Sequence, residues 1–395
     1  MQEIHGTAMH YPWGTHDAIP AILGIPADGR PYAEYWLGAH PIAPSSVDGR
    51  RLDEFVAEQP EVLGEVALTE YAGRFPYLMK LLSARHALSI QAHPSRDKAR
   101  DGYTREERAG VALGDPVRSY KDDWPKPEVL IALSRFELLL GFRNPTETFN
   151  LFCRLGVAEP LESVIGPLWA RRGPVATEEV FLDVLSFADE RLDLVSEVLV
   201  AAVRHATDTD DVGELARMII DLDATFPGDP GILAACLMNR IVLQPGEAVF
   251  VPPGTMHAHL SGTGVEVMAN SDNVIRGGLT NKHIAVDELV TVVDFAQSRP
   301  PILHGYETDP GVWLYPSECA EFDVWRIESR PGRQTLLPAG GSARIVLVTR
   351  GEAVLTGGGS TMHLEHGQAV LLPATDGPPT VSGDAQVFLT APGIR

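Results

Sequence analysis

Between Asn144 and about residue 231 this chain carries helical periodicity, while the segments on either side of that block read as short strands and turns. The helical block opens on Asn144-Pro145, an N-cap residue with proline at the first helical position. Inside it Leu192, Val195, Leu199, Ala202 and Val203 recur at three- and four-residue spacing, as do Leu215, Met218, Ile219 and Leu222. Pro227-Gly-Asp-Pro-Gly reads as a break, and Ile232-Leu-Ala-Ala-Cys-Leu as one last short helix. Residues 1–143 are rich instead in proline, glycine and short apolar runs, such as Phe75-Pro-Tyr-Leu-Met-Lys-Leu-Leu and Val129-Leu-Ile-Ala-Leu. From Ile241 to the end short strands return, among them Arg344-Ile-Val-Leu-Val-Thr and Gly351-Glu-Ala-Val-Leu. A mainly β chain with a helical insertion follows, its strands closing into antiparallel barrels or jelly rolls.

The two β segments echo one another. Gln244-Pro-Gly246-Glu-Ala-Val-Phe-Val-Pro252 resembles Glu365-His-Gly367-Gln-Ala-Val-Leu-Leu-Pro373, each with glycine, five residues, then proline. Two copies of one β unit account for this. Gly357-Gly-Gly359 reads as a hairpin turn, because no helical pattern follows it as a phosphate loop requires.

Charge narrows the function. The 395 residues carry 53 Asp+Glu against 32 Lys+Arg, a net charge of −21 that repels nucleic-acid phosphates and anionic membranes. An anionic substrate must therefore be held by a few well-placed cations. The three cysteines, Cys153, Cys236 and Cys319, form no CxxC and imply neither a disulfide framework nor a cysteine zinc site. The N-terminus is polar, and no apolar stretch is long enough to cross a bilayer. A cytoplasmic protein without membrane or nucleic-acid partners is expected.

The most informative stretch is Gly246-Glu-Ala-Val-Phe-Val-Pro252-Pro253-Gly254-Thr-Met-His257. Glycine turns into a strand, proline and glycine shape the next turn, and His257 is delivered to the interior. The pattern G-x5-P-x-G-x2-H resembles the second conserved motif of cupin barrels. A metal needs further ligands. In Ser89-Ile-Gln91-Ala-His93-Pro94, Gln91 and His93 stand two apart at a strand end and share a face. Lys126-Pro127-Glu128 leads into an apolar strand, so Glu128 can enter from a neighbour. Two imidazoles, one carboxylate and one amide oxygen leave room for water or substrate, the profile of a catalytic zinc site. That donor set also admits manganese or iron.

These residues stand among longer stretches: Pro12-Trp13-Gly14, Phe75 to Ser83, Leu88 to Pro94, Lys126-Pro-Glu128, His257-Ala-His-Leu-Ser-Gly262, and Glu266-Val-Met-Ala-Asn-Ser-Asp-Asn-Val-Ile-Arg276-Gly-Gly-Leu-Thr-Asn-Lys282. Together they resemble the type I mannose-6-phosphate isomerases, zinc-dependent cupin enzymes. The resemblance implies a fold of two cupin-type jelly-roll barrels plus an α-helical domain. The catalytic barrel would comprise 1–143 and 232–300, the helical insertion 144–231, and a metal-free cupin-like barrel 301–395. It implies one Zn2+ per chain on Gln91, His93, Glu128 and His257, with Arg276 as the catalytic residue. The reaction implied interconverts D-mannose 6-phosphate and D-fructose 6-phosphate through a cis-enediol, with a monomer as the working unit.

Substrate contacts are expected from Ser89, Lys80, Lys126, Lys282, Glu266, Asp272, His259 and Trp13. Lys80, Lys126, Lys282 and Ser89 are the candidates for the phosphate, and Trp13 reads as pocket wall. Glu266, Asp272 and His259 compete for the proton-shuttling role. His259 stands where the family usually has tyrosine, and Asn281 where it has proline; His259 is either pocket lining or a competing ligand. In the second copy Thr375 and Pro378 take the places of Gly254 and His257, so no metal is expected there. His5, His10, His205 and His304 lack metal-type spacing, and Asp208-Thr-Asp-Asp211 reads as a solvated helix start. A non-enzymatic cupin that senses a sugar phosphate is the alternative; an iron oxygenase site fits Gln91 poorly.

Overall fold

The structure is a computed structural model, and it describes residues 1–187 and 191–394. The helical block begins where the sequence places it: the Asn144 side chain accepts from the Thr146 and Glu147 amides at 2.9 and 3.4 Å. Helices follow at Pro145–Leu155, Glu162–Ala170, Pro174–Leu185, Asp193–His205, Asp211–Thr225 and Gly231–Cys236. Their apolar stripes meet in one core with Leu151, Val198, Ala202, Leu215 and Ile219. Val203 lies outside that stripe and is 62% exposed; Val198 and Ala201 carry the contact instead. The acidic run is a helix start, with Asp210 capping Gly213 N–H and both Asp210 and Asp211 pairing Arg154.

Outside that block, and with shorter helices such as Leu52–Glu58, Arg96–Arg108 and Val286–Val292 between them, the strands form two antiparallel sheets. One runs, in spatial order, Met238–Leu243, Phe136–Phe142, His257–Ala269, Tyr77–Ala84, Glu34–Leu37 and Thr7–Met9. Ala248–Val251 joins it through Glu128–Ala132, and Ile275–Arg276 through Gln91–Ala92. The long strand His257–Ala269 is its spine: its first half pairs with Phe136–Phe142 and Gln91, its second with Tyr77–Ala84 and Glu128–Ala132. Gln91 and His257, distant in sequence, are thus direct partners across strands.

The second sheet contains the C-terminal strands, including Asp323–Ser329, Arg344–Gly357, Ala369–Leu372 and Thr380–Ala391. Gly358-Gly359 forms the tip of a hairpin there, between the paired residues Gly357 and Ser360. The N-terminus joins it too. Gln2–His5 pairs antiparallel with Ala369–Leu372, and Ser46–Val47 and Arg50–Arg51 extend that edge. A division that keeps all of 1–143 with the first sheet is therefore too simple, because Ile4 and Val47 bury their side chains beside Leu371 and Ile345.

Tyr77–Ala84 shows how the sheets bury a polar site. Every residue of it is buried, yet its faces differ. Tyr77, Met79 and Leu81 pack against the C-terminal sheet. On the opposite face Leu82 and Ala84 join Leu130, Phe136, Leu138 and Val249 in a separate apolar cluster. Lys80 falls on that inner face by the two-residue alternation of a strand.

Candidate active site

Three strands bring together three candidate ligands. His257 opens the spine strand, Glu128 opens its neighbour, and His93 follows Gln91–Ala92; all three are buried. Their donor atoms lie within 4.8 Å of one another. Glu128 Oε1 is 3.2 Å from His93 Nε2, and Oε2 is 3.3 Å from His257 Nε2. The tautomers follow from the backbone. His93 Nδ1 donates to the Asn273 carbonyl at 2.7 Å, and His257 Nδ1 to that of Thr255 at 3.1 Å. Both Nε2 atoms then present lone pairs to carboxylate oxygens. His93 Nε2 and Glu128 Oε2 have no hydrogen-bond partner. Only a cation relieves such a set of converging acceptors, so these residues fit a metal.

The fourth candidate, Gln91, has its amide nitrogen 3.3 Å from His257 Nε2, and a half-turn of that amide offers its oxygen instead. Burial, reinforced by Lys126, lowers the His93 pKa to about 4, which keeps the ring neutral. Burial works to raise the Glu128 carboxyl, but Lys126 outweighs it and holds it well below the usual range. Lys126 Nζ lies 3.2 Å from Glu128 Oε1.

Deeper in the same interior is a second polar layer. Lys80 Nζ stands 3.3 Å from Glu34 Oε1 and 3.2 Å from Glu266 Oε2, over the Trp36 ring at 4.8 Å. Burial opposes its charge, yet Glu34 and Glu266 raise its pKa above the ordinary lysine value. Two carboxylates thus share one ammonium, and burial pushes Glu266 up to about 7. Lys80 is ion-paired at depth and offers no free ammonium to a phosphate. His259 lies in this layer, its Nδ1 3.8 Å from Glu266 and its ring edge-on to Phe136. It is buried, its pKa lowered to about 3 by desolvation and His257, and it stands apart from the three-residue cluster.

At the mouth the charges change sign. Arg276 pairs in register with Gln91 and is half-buried, with no hydrogen bond or ion pair among the described residues. Its charge, with burial, lowers the pKa of the exposed Lys282 and contributes to lowering that of Lys121. Ser89 is partly buried two residues before Gln91. Trp13 stacks on Tyr11 at 5.8 Å and packs on the inner apolar cluster, as a wall residue would. Asp272 is 32% exposed, with Oδ1 3.3 Å from His40 Nε2. Burial works to raise its carboxyl, but His40, Lys126 and Lys80 bring the pKa below its ordinary value.

Sequence reasoning missed His40, Glu34, Lys121, Asp122 and Asn273. Glu34 and Trp36 alternate inward on one strand, a period-two signal that was available; the others act through loops whose folding no periodicity announces. A surface groove of about 940 Å³ lies between helix Asp211–Thr225 and the first sheet and includes none of these residues.

Comparison with known proteins agrees with this geometry. Residues 1–145 match the model of the type I phosphomannose isomerase catalytic domain, and 320–392 the mannose-6-phosphate isomerase cupin domain. The chain is 31% identical to a mannose-6-phosphate isomerase of Escherichia coli (strain K12) over 401 residues, covering 98% of each. It is 32% identical to a probable mannose-6-phosphate isomerase of Caenorhabditis elegans, covering 93% of this chain and 89% of that one. Its fold matches a mannose 6-phosphate isomerase crystallised with zinc and yttrium, at TM-score 0.90 and 28% identity over the whole of both chains. With that extent of likeness in both sequence and fold, this chain belongs to the type I phosphomannose isomerase family.

Proposed function

We propose that the chain is a zinc-dependent aldose–ketose isomerase interconverting D-mannose 6-phosphate and D-fructose 6-phosphate. The observation that carries this reading is the set of inward-facing acceptors on His93, Glu128 and His257, two of them buried without a partner, in a member of this family. Gln91, His93, Glu128 and His257 would hold one zinc ion. Bound there, zinc supplies Lewis acidity to the sugar's carbonyl and hydroxyl oxygens.

The chain's own residues account for the remainder. Isomerisation moves a proton from C2 to C1 and another from O2 to O1, through a cis-enediol. Arg276, uncommitted and permanently charged, donates two fixed N–H bonds to the oxygen that gains negative charge. Lys282 and Ser89 cradle the phosphate near it, while Lys126, ion-paired with Glu128 at 3.2 Å, keeps that carboxylate charged. Of the three candidate bases, neutral His259 and ion-paired Glu266 sit deep, whereas Asp272 is ionised and open at the mouth. Asp272 is accordingly the carboxylate that accepts hydrogen from the sugar. Lys80 fixes Glu34 and Glu266 in place beneath, while Trp13 excludes water from one side.

The finer architecture is part of the same proposal: a catalytic barrel from the first sheet, a helical domain at 144–231, and a C-terminal cupin-like barrel that carries no metal. The N-terminal strand Gln2–His5 then belongs to the second barrel. All four proposed ligands come from one chain, which suits a monomer. Three free cysteines and a phosphorylated substrate suit the cytoplasm. A coupled assay for fructose 6-phosphate tests the reading. Turnover should vanish with chelator and return with zinc, and a zinc-loaded protein without turnover would identify a binding protein instead.

A further inference from the structure

His40 is buried, yet the carboxylate it meets is partly exposed. The ring is 1% exposed and its Nε2 lies 3.3 Å from Oδ1 of Asp272, which is open to solvent. A carboxylate 32% exposed is reached by water on its open side, so solvation alone does not account for a buried protein donor on the other. The chain nevertheless commits a buried imidazole to that role and builds a frame around it.

The frame fixes the ring's protonation. The Ile42 amide donates to His40 Nδ1 at 3.3 Å, so Nδ1 is the acceptor and Nε2 carries the hydrogen. The loop holding His40 is closed at its base: Ser45 N–H donates to the Gly38 carbonyl at 2.8 Å, and Gly38 N–H to Ser45 Oγ at 3.0 Å. Gly38 sits at φ +155°, and a Cβ there would come within 3.0 Å of Leu78. Trp36 meets the ring edge-on at 4.8 Å, and its own indole N–H donates to Glu34 at 2.8 Å, tying the loop to the Lys80 layer.

The other side of Asp272 is equally held. Its amide donates to Asp122 Oδ2 at 2.8 Å, while Ser271 Oγ donates to Asp122 Oδ1 at 2.8 Å. Asp122 fixes the backbone of Asp272 and leaves its carboxylate to rotate. Among the described residues, His40 is the side chain within hydrogen-bond reach of that carboxylate.

We infer that His40 is a positioning residue of this enzyme: through an Nε2–H donor held in place by its loop, it keeps the Asp272 carboxylate in the orientation that accepts a proton from the sugar. The inference rests on the isomerase reading and on Asp272 as the open carboxylate. Losing the donor releases the carboxylate rotamer and lowers turnover, by about 10- to 100-fold as for other supporting hydrogen bonds at catalytic groups. Zinc content is untouched, because His40 contacts none of the proposed ligands.

The test compares two amides. In His40→Gln the side-chain nitrogen reaches the place of Nε2, whereas in His40→Asn it stops at the place of Nδ1. Both keep a polar group in the loop, so the pair remains informative if His40→Ala fails to fold. His40→Gln should keep kcat within about threefold, and His40→Asn should lose about 10- to 100-fold at unchanged zinc content and melting temperature. In an Asp272→Asn background His40→Asn should add little further loss. Equal activity of the two variants, or a full additional loss in the Asp272→Asn background, overturns the inference. A native chain that does not isomerise the sugar phosphate at all would instead overturn the functional reading.

Discussion

Changing Asn273 to Asp replaces one NH2 by one oxygen at a fully buried position, and the structure says what that exchange costs. The Asn273 amide nitrogen donates to the Asp122 and Trp124 carbonyls, both at 2.8 Å, and lies 3.2 Å from Asp122 Oδ1. Its oxygen accepts from the Lys121 amide at 2.7 Å, a bond aspartate keeps. The substitution therefore strands two buried carbonyls and sets an oxygen against them. At about 1–3 kcal/mol for each unsatisfied group, the loss is about 2–6 kcal/mol. At roughly 2–4 °C per kcal/mol for a cooperative unit of about 250 residues, the melting temperature falls by at least about 4 °C. The new carboxyl's folded pKa is raised above its unfolded value near about 3.9, by burial and by facing acceptors. Its ionisation penalty is thus fully present above the folded pKa and fades as the pH falls through that value, vanishing below about 3.9, where the carboxyl is protonated in both states. A second consequence follows because the Asn273 carbonyl orients His93 through Nδ1. A shifted loop weakens zinc retention by about 10- to 100-fold. Differential scanning fluorimetry at about pH 8 and pH 5, with metal analysis after dialysis, measures both effects. A variant melting within about 1 °C of the native chain at the higher pH would refute the hydrogen-bond accounting.

His257→Ala should lose both the zinc, about one ion per chain in the native protein, and the isomerase activity; full metal occupancy in that variant would refute the ligand set. Arg276→Lys keeps the charge and loses the planar fork, so steady-state kinetics should find kcat lowered about 10²–10³-fold with a smaller change in KM. A rise in KM alone would make the residue a phosphate clamp. Alkylation of the native protein at about pH 8 should label Cys153 only, because burial pushes both Cys236 and Cys319 up to about 12 while Cys153 is exposed. Mass spectrometry after unfolding should find all three cysteines reactive.

The ligand cluster was legible because its signals are local. Glycine and proline at fixed offsets shape the turn before His257, and two-residue alternation puts Gln91 and His93 on one face. The helical block was legible for a similar reason, since Asn144-Pro145 and a 3.6-residue stripe need no distant partner. Two things were not legible. The pairing of Gln2–His5 with Ala369–Leu372 joins the two ends of the chain, and nothing in the short strand Gln-Glu-Ile-His specifies which edge it takes. The depth of each polar residue was the other. Lys80 resembles a phosphate ligand by type, but its role is set by Glu34 and Glu266 on adjacent strands, a register no single-strand pattern reveals. His40 escaped because its meaning lies in one contact across a loop.

The repeated unit supplies a control on what makes the site. Both copies start a strand after a left-handed glycine, Gly246 at φ +89° and Gly367 at φ +87°, and both continue into buried strands, Ala248–Val251 and Ala369–Leu372. In the first copy the chain turns through Pro252 and Gly254 and immediately enters the spine strand with His257 inward. In the second it leaves Pro373 for a loop through Thr375 and Pro378, and re-enters the sheet only at Thr380. The residues that would line a corresponding interior are Val346, Val348, Leu355, Leu364, Val381 and Leu389, all apolar and buried. Those six side chains offer no ligand atom to replace a cation's hydration. The shared strand–turn unit therefore provides the scaffold, and the chemistry comes from the few inward positions at which the first copy accepts the cost of burying charge.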